Sequence, residues 1–523
     1  MNHIKGLIVM LVAGLIAAWL LRGPLRPWLD DRRYRLIWVA LLATTAAVFL
    51  AGHVGLLMLA LAVVAVVIPG QLGLGVAGTV GLYLALSAIT PQLTLSMSGL
   101  GPINQLLDLP IPRALSLLML VPLAFRVAAT PPSTELPAIN WRMADLAVVA
   151  YELLGVVLEG RTASATHMVR LTLISILDIL LPYYVVSRGV TSWAQVRALL
   201  AVFCAAMGLV VAATFVEQLL RWPMYSDLQH VYGQRWVATW ILERGGLLRV
   251  RAMTPQPLLL GYLLLFALAY WLALMGTRWR ERRNLLATAA LVVALYFTVS
   301  RGPLMSGALL LLSLLALRWM RPTLYGWLLT AATIAFATMV VMGWDDALVQ
   351  ALKQLLGDAE GQDGSIDYRK LLLETSLVLI AHNPWLGASD YYLYMEHLRQ
   401  GEGIIDLVNT YVHIALAQGL IGLALFLMPY VVMIRRLLGR LEQARGDDAM
   451  VARALISVTV AALFMLFTAS YYWMMPQLNI TLVALGLACS RLPVETVPAE
   501  PEPPHTMDAP WSPDEAMLDW PPR

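Results

Sequence analysis

Long apolar runs recur from one end of this chain to the other, separated by short polar or basic connectors. A helix that crosses a bilayer needs about 20 mostly apolar residues. Clear runs of that kind lie near 4–21, 36–51, 54–69, 73–90, 114–130, 168–187, 195–217, 257–276, 285–300, 304–319, 323–343, 412–434, 451–472 and 477–490. A weaker run near 144–159 carries Glu152 and Glu159, so it reads equally well as an amphipathic helix on the membrane surface. In lipid every backbone polar group needs an internal partner, which long apolar runs achieve as helices. The expected fold is therefore all-α: a polytopic membrane helix bundle of 13–15 spans over residues 1–492.

Composition closes off the soluble alternative. Hydrophobic residues make up 59% of the chain and charged residues 13%, against roughly 25% charged in a soluble domain. Such a chain could not cover its surface in water. A net charge of +3 gives no argument for nucleic acid as a partner. The two cysteines, Cys204 and Cys489, sit in apolar runs, which suits neither a disulfide framework nor a thiolate metal site. Met1 to Leu21 looks like a signal peptide but has no small-residue cleavage site before Arg22, so it reads as a retained first span.

Basic connectors set the expected orientation. Arg22–Arg35, the stretch 278–283, Arg318–Arg321 and Arg435–Arg445 mark the cytoplasmic side. Ser300-Arg301-Gly302, a loop at about 218–256 and a large loop at about 344–411 then fall outside. The tail, 493–523, is Pro-rich and acidic and is expected to be disordered in the cytoplasm. No internal repeat of the transporter kind is apparent by eye.

Charges inside the spans are few. Asp178 and Glu217 are the exceptions, and interhelical hydrogen bonds are the plain reading of both. The polar residues concentrate in the outer loops, in four stretches. Arg249 and Arg251 stand before Pro255 and Pro257, where a span begins; guanidinium forks and helix N-termini both suit phosphate. Interfacial snorkelling is the bland alternative. Next, Arg301 closes a span on the side that positive-inside statistics disfavour. In the large loop, Arg369 is placed in the first turn of a helix read from the apolar spacing of Leu371 to Ile380, and His382-Asn383-Pro384-Trp385-Leu386-Gly387 follows. A cation at a helix start runs against the dipole, which hints at a ligand; a pair with Asp367 or Glu374 is the alternative. Last, Asp406, Asn409 and His413 share a face if their segment is helical, beside Tyr411 and ahead of Gly419 and Gly422. A satisfied interhelical histidine is the plain reading of His413.

These four stretches, in this order over about 170–435, resemble the superfamily of O-antigen ligases and Wzy-type polysaccharide polymerases. Arg369 and Leu373 match its R-x-x-x-L element, and Ser300-Arg301-Gly302 matches its span-end motif. Asn409, Gly419 and Gly422 fit the spacing of the ligase H-N…G-x-x-G element, but Val408 stands where the histidine belongs. The string from Asp406 to Tyr411, and Leu177 to Arg188 upstream, look like the exopolysaccharide polymerase branch. The resemblance implies a multi-pass inner-membrane enzyme with its site facing the periplasm. It would transfer a glycan from undecaprenyl diphosphate to a sugar hydroxyl, as a polymerase or, alternatively, as a ligase. Partners would be the lipid-linked oligosaccharide, membrane lipid and other polysaccharide assembly proteins.

In that scheme Arg301 and Arg369, with Arg249 or Arg251, neutralise the departing diphosphate without a metal or other cofactor. Asp406 is the expected general base, with His413 and His382 in reserve, and Asn409, Tyr411 and the aromatic residues Trp385, Tyr391 and Tyr392 available to the sugar. A lipid-linked saccharide transporter would want polar residues spread through several spans, and a scaffold would leave the outer arginines dispensable.

Overall fold

The computed structural model describes residues 2–98, 105–130, 137, 142–161, 163–234, 242–341, 363–399, 405, 407–444 and 446–493. Helices dominate. The first group is α1 (Asn2–Leu25), α2 (Asp31–Leu50), α3 (Val54–Leu72) and α4 (Gly75–Ile89). A hairpin of β1 (Thr94–Ser98) and β2 (Gln105–Pro110) then leads into α5 (Ile111–Leu115) and α6 (Val121–Ala129). Next come α7 (Arg142–Glu159), α8 (Ala165–Ser175), α9 (Leu181–Gly189), α10 (Trp193–Leu220) and a single turn, α11 (Leu228–Tyr232). After the two-residue strands β3 (Glu243–Arg244) and β4 (Leu247–Leu248) follow α12 (Pro257–Met275), α13 (Arg282–Phe297), α14 (Arg301–Trp319) and α15 (Pro322–Val341). The last four are α16 (Asp363–His382), α17 (Thr410–Leu441), α18 (Gly446–Leu466) and α19 (Met475–Cys489).

The described part of each apolar run read from the sequence is mainly helical; the runs 114–130 and 168–187 are each divided between two helices. Among the described residues, ten helices are long and apolar enough to cross a membrane, fewer than the 13–15 expected. The remainder are short, as α4 and α19 are at 15 residues each and α13 at 16, charged, as α7 is, or described only up to residue 341, as α15 is. The short helices α4 and α19 lie inside the bundle: every residue of α4 from Ala77 to Ile89 is buried, and so is every residue of α19 but Pro476. α4 packs on α10, α10 on α12, and α12 and α14 on α18. Large apolar side chains face outward on α1 and α14, with Ile8 58% and Leu312 62% exposed. In water that surface would aggregate, whereas in lipid it is the matched solvent.

α10 fixes two opposite rims. Its 28 residues span about 42 Å. Near its start Arg197 pairs with Asp448, and near its end Glu217 accepts from the backbone N–H groups of Arg251 and Ala252 at 3.3 and 2.9 Å. The first end is the basic rim, carrying 276–283, 435–444, 446–448 and 491–493. The other is the loop rim, carrying 221–234, 242–256, 298–301, 467–474 and the described part of the large loop. The hairpin β1–β2, which the sequence reading missed, joins the loop rim through Gln234, whose side chain bonds both backbone groups of Thr94 at 3.0 and 2.6 Å.

Two spans are interrupted alike. A π turn, Ser116–Leu120, separates α5 from α6, and a second, Ile176–Leu180, separates α8 from α9. Each is followed by a proline at the second position of the next helix, Pro122 and Pro182. The two turns pack on each other. This likeness at a spacing of 60 residues escapes a sequence scan because only the proline and its apolar neighbours recur. Between the turns lies a buried ion pair. Arg113 donates from Nε to Asp178 Oδ1 at 3.2 Å and from Nη2 to Oδ2 at 2.7 Å, while its Nη1 donates to the Asp108 carbonyl at 2.6 Å. The interhelical hydrogen bonding expected of Asp178 is thus an ion pair, with an arginine that the sequence reading had not singled out.

Removing one member of such a pair strands the other's charge in an apolar interior. Asp178→Leu should lower stability by about 3–5 kcal/mol, and Arg113→Met/Asp178→Leu should recover most of it. Thermal unfolding of the protein in detergent checks both, and an additive double variant would contradict the pairing.

Candidate active site

The large loop folds onto the end of a span through a break in that span. α17 is not continuous: Gly419 has φ 68° and ψ −170°. In an unbroken helix the Leu420 N–H would bond to the Leu416 carbonyl. Here the Leu420 N–H donates to Pro384 O at 2.7 Å, the Leu416 carbonyl accepts from Ala388 N at 2.8 Å, and Ile421 N donates to Trp385 O at 3.3 Å. The backbone of 384–388 therefore supplies the groups the break leaves unmatched. Only glycine fits at the two contact points. Gly387 (φ 61°) and Gly419 both hold left-handed backbone, and a Cβ on either would overlap the other segment's backbone.

Around this clamp the loop builds a small core of its own. Leu372 from α16, Met395 and Leu398 from the 3-10 turn Tyr391–Leu398, Leu407 and Leu416 pack together. α16 begins at Asp363, so Arg369 lies nearly two turns inside it and not in the first turn, as the spacing of Leu371 to Ile380 suggested. The dipole argument for Arg369 weakens accordingly. His382 ends α16, exposed, with Nδ1 2.8 Å from the Val378 carbonyl. Trp385, Tyr392 and Tyr394 stand 67%, 46% and 62% exposed.

The fourth stretch differs from the expected helix. Residues 407–409 are not helical, and α17 starts at Thr410. Asn409 is its N-cap: Oδ1 accepts from the N–H groups of Tyr411 and Val412 at 3.0 and 3.2 Å. Asn409 therefore precedes the helix that carries His413. Asp406 itself lies outside the described residues. The Tyr411 hydroxyl donates inward to Leu463 O at 2.5 Å, while His413 is exposed, with Nδ1 3.1 Å from the Tyr391 hydroxyl. Burial and the Glu159 charge raise the Tyr391 pKa.

The first two stretches meet at the α13–α14 turn. Val250 N donates to Phe297 O at 3.1 Å, Arg249 Nη2 donates to Ser300 Oγ at 3.3 Å, and Arg244 Nη1 donates to Val299 O at 3.4 Å. Arg301 is not the end of a span but the first, exposed residue of α14. Burial and the neighbouring Arg244 charge both lower the Arg249 pKa; two cations crowd one another there, and Arg249 Nε is buried without a partner. Arg251 is different. It is 4% exposed, Nη2 donates to Ser226 Oγ at 2.7 Å, and Glu217 offsets the effect of burial on its charge. Its surroundings are those of a loop anchor.

One connector, 467–470, links this turn to the start of α17. Gly302 leaves room for Thr468 Oγ1, which would lie 2.7 Å from an added Cβ. Thr410 Oγ1 donates to Ala469 O at 2.6 Å, and Ser470 Oγ donates to Leu407 O at 3.0 Å. All four stretches thus sit on one rim, joined by hydrogen bonds or backbone contact. Strain concentrates there as well. Among the described residues the non-glycine positions with positive φ are Arg221, Ala252, Val299 and Trp473, all on the loop rim. Each costs on the order of 1–3 kcal/mol, and β-branched Val299 is the least tolerant of it. Arg244, Thr468 and the strained turn were missed by the sequence reading; the short Thr-Ala-Ser string carries no recognisable signal.

Residues 285–427 match the O-antigen ligase family model. The match covers roughly a quarter of the chain and supports the superfamily of O-antigen ligases and Wzy-type polymerases. The matched stretch runs from α13 past the break in α17, so it contains Arg301, Arg369 and the glycine clamp. Arg244, Arg249 and Arg251 precede it. No match was found among curated proteins.

Gly387→Ala and Gly419→Ala should each destabilise the loop against α17 by more than the roughly 1–2 kcal/mol of left-handed strain alone, because the added carbon also meets backbone. Limited proteolysis between residues 383 and 409 should accelerate in both variants. Cleavage as slow as in the parent would argue against the clamp.

Proposed function

We propose that this chain is a membrane glycosyltransferase of the O-antigen ligase and Wzy-type polymerase superfamily. Its reading as a polymerase of lipid-linked repeats rests on Val408 in place of the ligase histidine and on the Asp406–Tyr411 string. The donor is a glycan on undecaprenyl diphosphate, the acceptor a sugar hydroxyl, and the reaction takes place at the loop rim, facing the periplasm of a bacterial inner membrane.

The observation that carries this reading is the arginine turn. Arg249 bonds Ser300, whose chain neighbour Arg301 is the exposed first residue of α14; no carboxylate is bonded to either arginine among the described residues, and Arg249 keeps a buried Nε without an acceptor. An anion placed there gains charge-assisted hydrogen bonds and relieves the crowding of Arg244 and Arg249. The N-terminus of α14 adds its partial positive charge at the same point. In the transfer, the acceptor oxygen bonds to the anomeric carbon as that carbon's bond to the diphosphate breaks. The acceptor proton passes to a base, and undecaprenyl diphosphate leaves with the bonding electrons. Guanidinium charges fixed before the reaction lower the cost of the charge that grows on the leaving group. Asp406 is the proposed base and Arg369, on the clamped loop, a second contact to the diphosphate. The ligase alternative uses the same donor chemistry with a different acceptor.

Arg249→Gln, Arg301→Gln and Arg369→Ala should each cut polymer formation by about 100-fold or more at unchanged membrane levels, leaving single repeats on the carrier. Glycan length, read by gel and by mass of the lipid-linked pool, decides. Full-length polymer retained on the carrier would favour the ligase, and normal polymer on its normal acceptor would remove these arginines from the reaction.

A further inference from the structure

The basic rim, about 42 Å away along α10, holds a second group of arginines that the proposed transfer does not use. Arg197 from the first turns of α10, Arg278 from the connector after α12, and Arg440 from the last turn of α17 gather around Trp28 and Asp448. Arg197 and Arg278 both lie over the Trp28 ring, at 5.3 and 5.4 Å from its centroid. Arg440 lies over Trp193 at 5.8 Å, within electrostatic reach of Asp448. Asp448, 3% exposed, is ion-paired to Arg197.

The donors outnumber the acceptors. Arg197 Nε, Arg278 Nη2, Arg440 Nε and Nη2, and Trp28 Nε1 are all buried without a hydrogen-bond partner. A buried donor left unmatched is destabilising, and more so when it is charged. Five in one neighbourhood, from four separate segments, are not the pattern of a merely snorkelling belt, whose guanidinium heads reach solvent. Three guanidinium groups gather near two carboxylates, Asp447 and Asp448. The N-termini of α10 and α18, which begin at Trp193 and Gly446, add positive ends to the same region. Asp447 is the other acid close by; its carboxylate lies against Gly276, two residues before Arg278.

We infer that Arg197, Arg278, Arg440 and Trp28 form a phosphoryl-binding site on the basic rim, separate from the arginine turn at the loop rim. A phosphate monoester or diester offers several acceptor oxygens and up to two negative charges, enough to take the unmatched N–H groups and offset the surplus cation. Arg197 and Arg278 share the ring of Trp28. The phosphate has two physical sources: the headgroup of an anionic phospholipid in the adjoining leaflet, or a soluble phosphate compound.

The test uses the purified full chain. Thermal unfolding and tryptophan fluorescence are followed in nanodiscs of phosphatidylcholine alone, in nanodiscs with added phosphatidylglycerol, and in phosphatidylcholine with added inorganic phosphate or pyrophosphate. Variants are Arg278→Gln and Arg440→Gln, with Arg435→Gln, exposed on the same rim, as the control. One phosphate source should raise the unfolding temperature and shift the fluorescence. The concentration needed should rise by about tenfold or more in the two site variants and stay unchanged in the control. An effect of phosphatidylglycerol alone identifies a lipid headgroup; an effect of inorganic phosphate or pyrophosphate identifies a soluble ligand. Equal responses in all variants, or no response to any phosphate, would overturn the site. If one variant fails to fold, the other carries the comparison.

Discussion

A backbone that leaves the helical path at membrane depth must find other partners for its peptide groups, because lipid offers none. The organisation of the loop rim follows from that requirement at Gly419. The break in α17 frees the Leu416 carbonyl and the Leu420 and Ile421 N–H groups, and the backbone of 384–388 takes all three. A loop that would otherwise be held only at its two ends is thereby fixed at several further points to α17, the span that follows it. Its helix α16 and its small core are held over the start of α17.

The same rim collects the strained residues, the unmatched Arg249 Nε and the connector that ties α14 to α17. The opposite rim collects its own arginines around Trp28. Between them lies a packed interior in which charge is paired, as at Arg113–Asp178. Unneutralised cationic charge is thus concentrated at the two faces, where phosphorylated groups of lipids or lipid-linked glycans present themselves, and is kept out of the middle.

The bundle was legible in the sequence because apolar run length is a one-dimensional signal, and the described part of every run is mainly helical. The number of full spans was less legible. α4 and α19 are apolar enough but too short, a difference that depends on what surrounds them. The motif residues were also visible, but not their division of labour. Arg249 and Arg251 look equivalent as letters two positions apart; the fold turns one toward Ser300 and the other into the Glu217 and Ser226 environment. Asn409 looked like a donor on a helix face, yet the extended backbone before it makes it a cap. Arg113 and Arg244 carried no pattern at all, since what distinguishes them is a partner 65 or 55 positions away. The glycine clamp was half visible: Gly387, Gly419 and Gly422 stood out, but nothing in one dimension says that two of them meet.

The most direct test of this organisation is amide hydrogen exchange in lipid nanodiscs, resolved at Ala388, Leu420 and Ile421. The clamp predicts exchange at these amides as slow as in the body of α17, with Leu420 protected despite the break beside it. It also predicts that Gly387→Val accelerates Ala388 and Leu420 together. Fast exchange at Leu420 and Ala388 in the parent protein, or Gly387→Val freeing one without the other, would contradict the account.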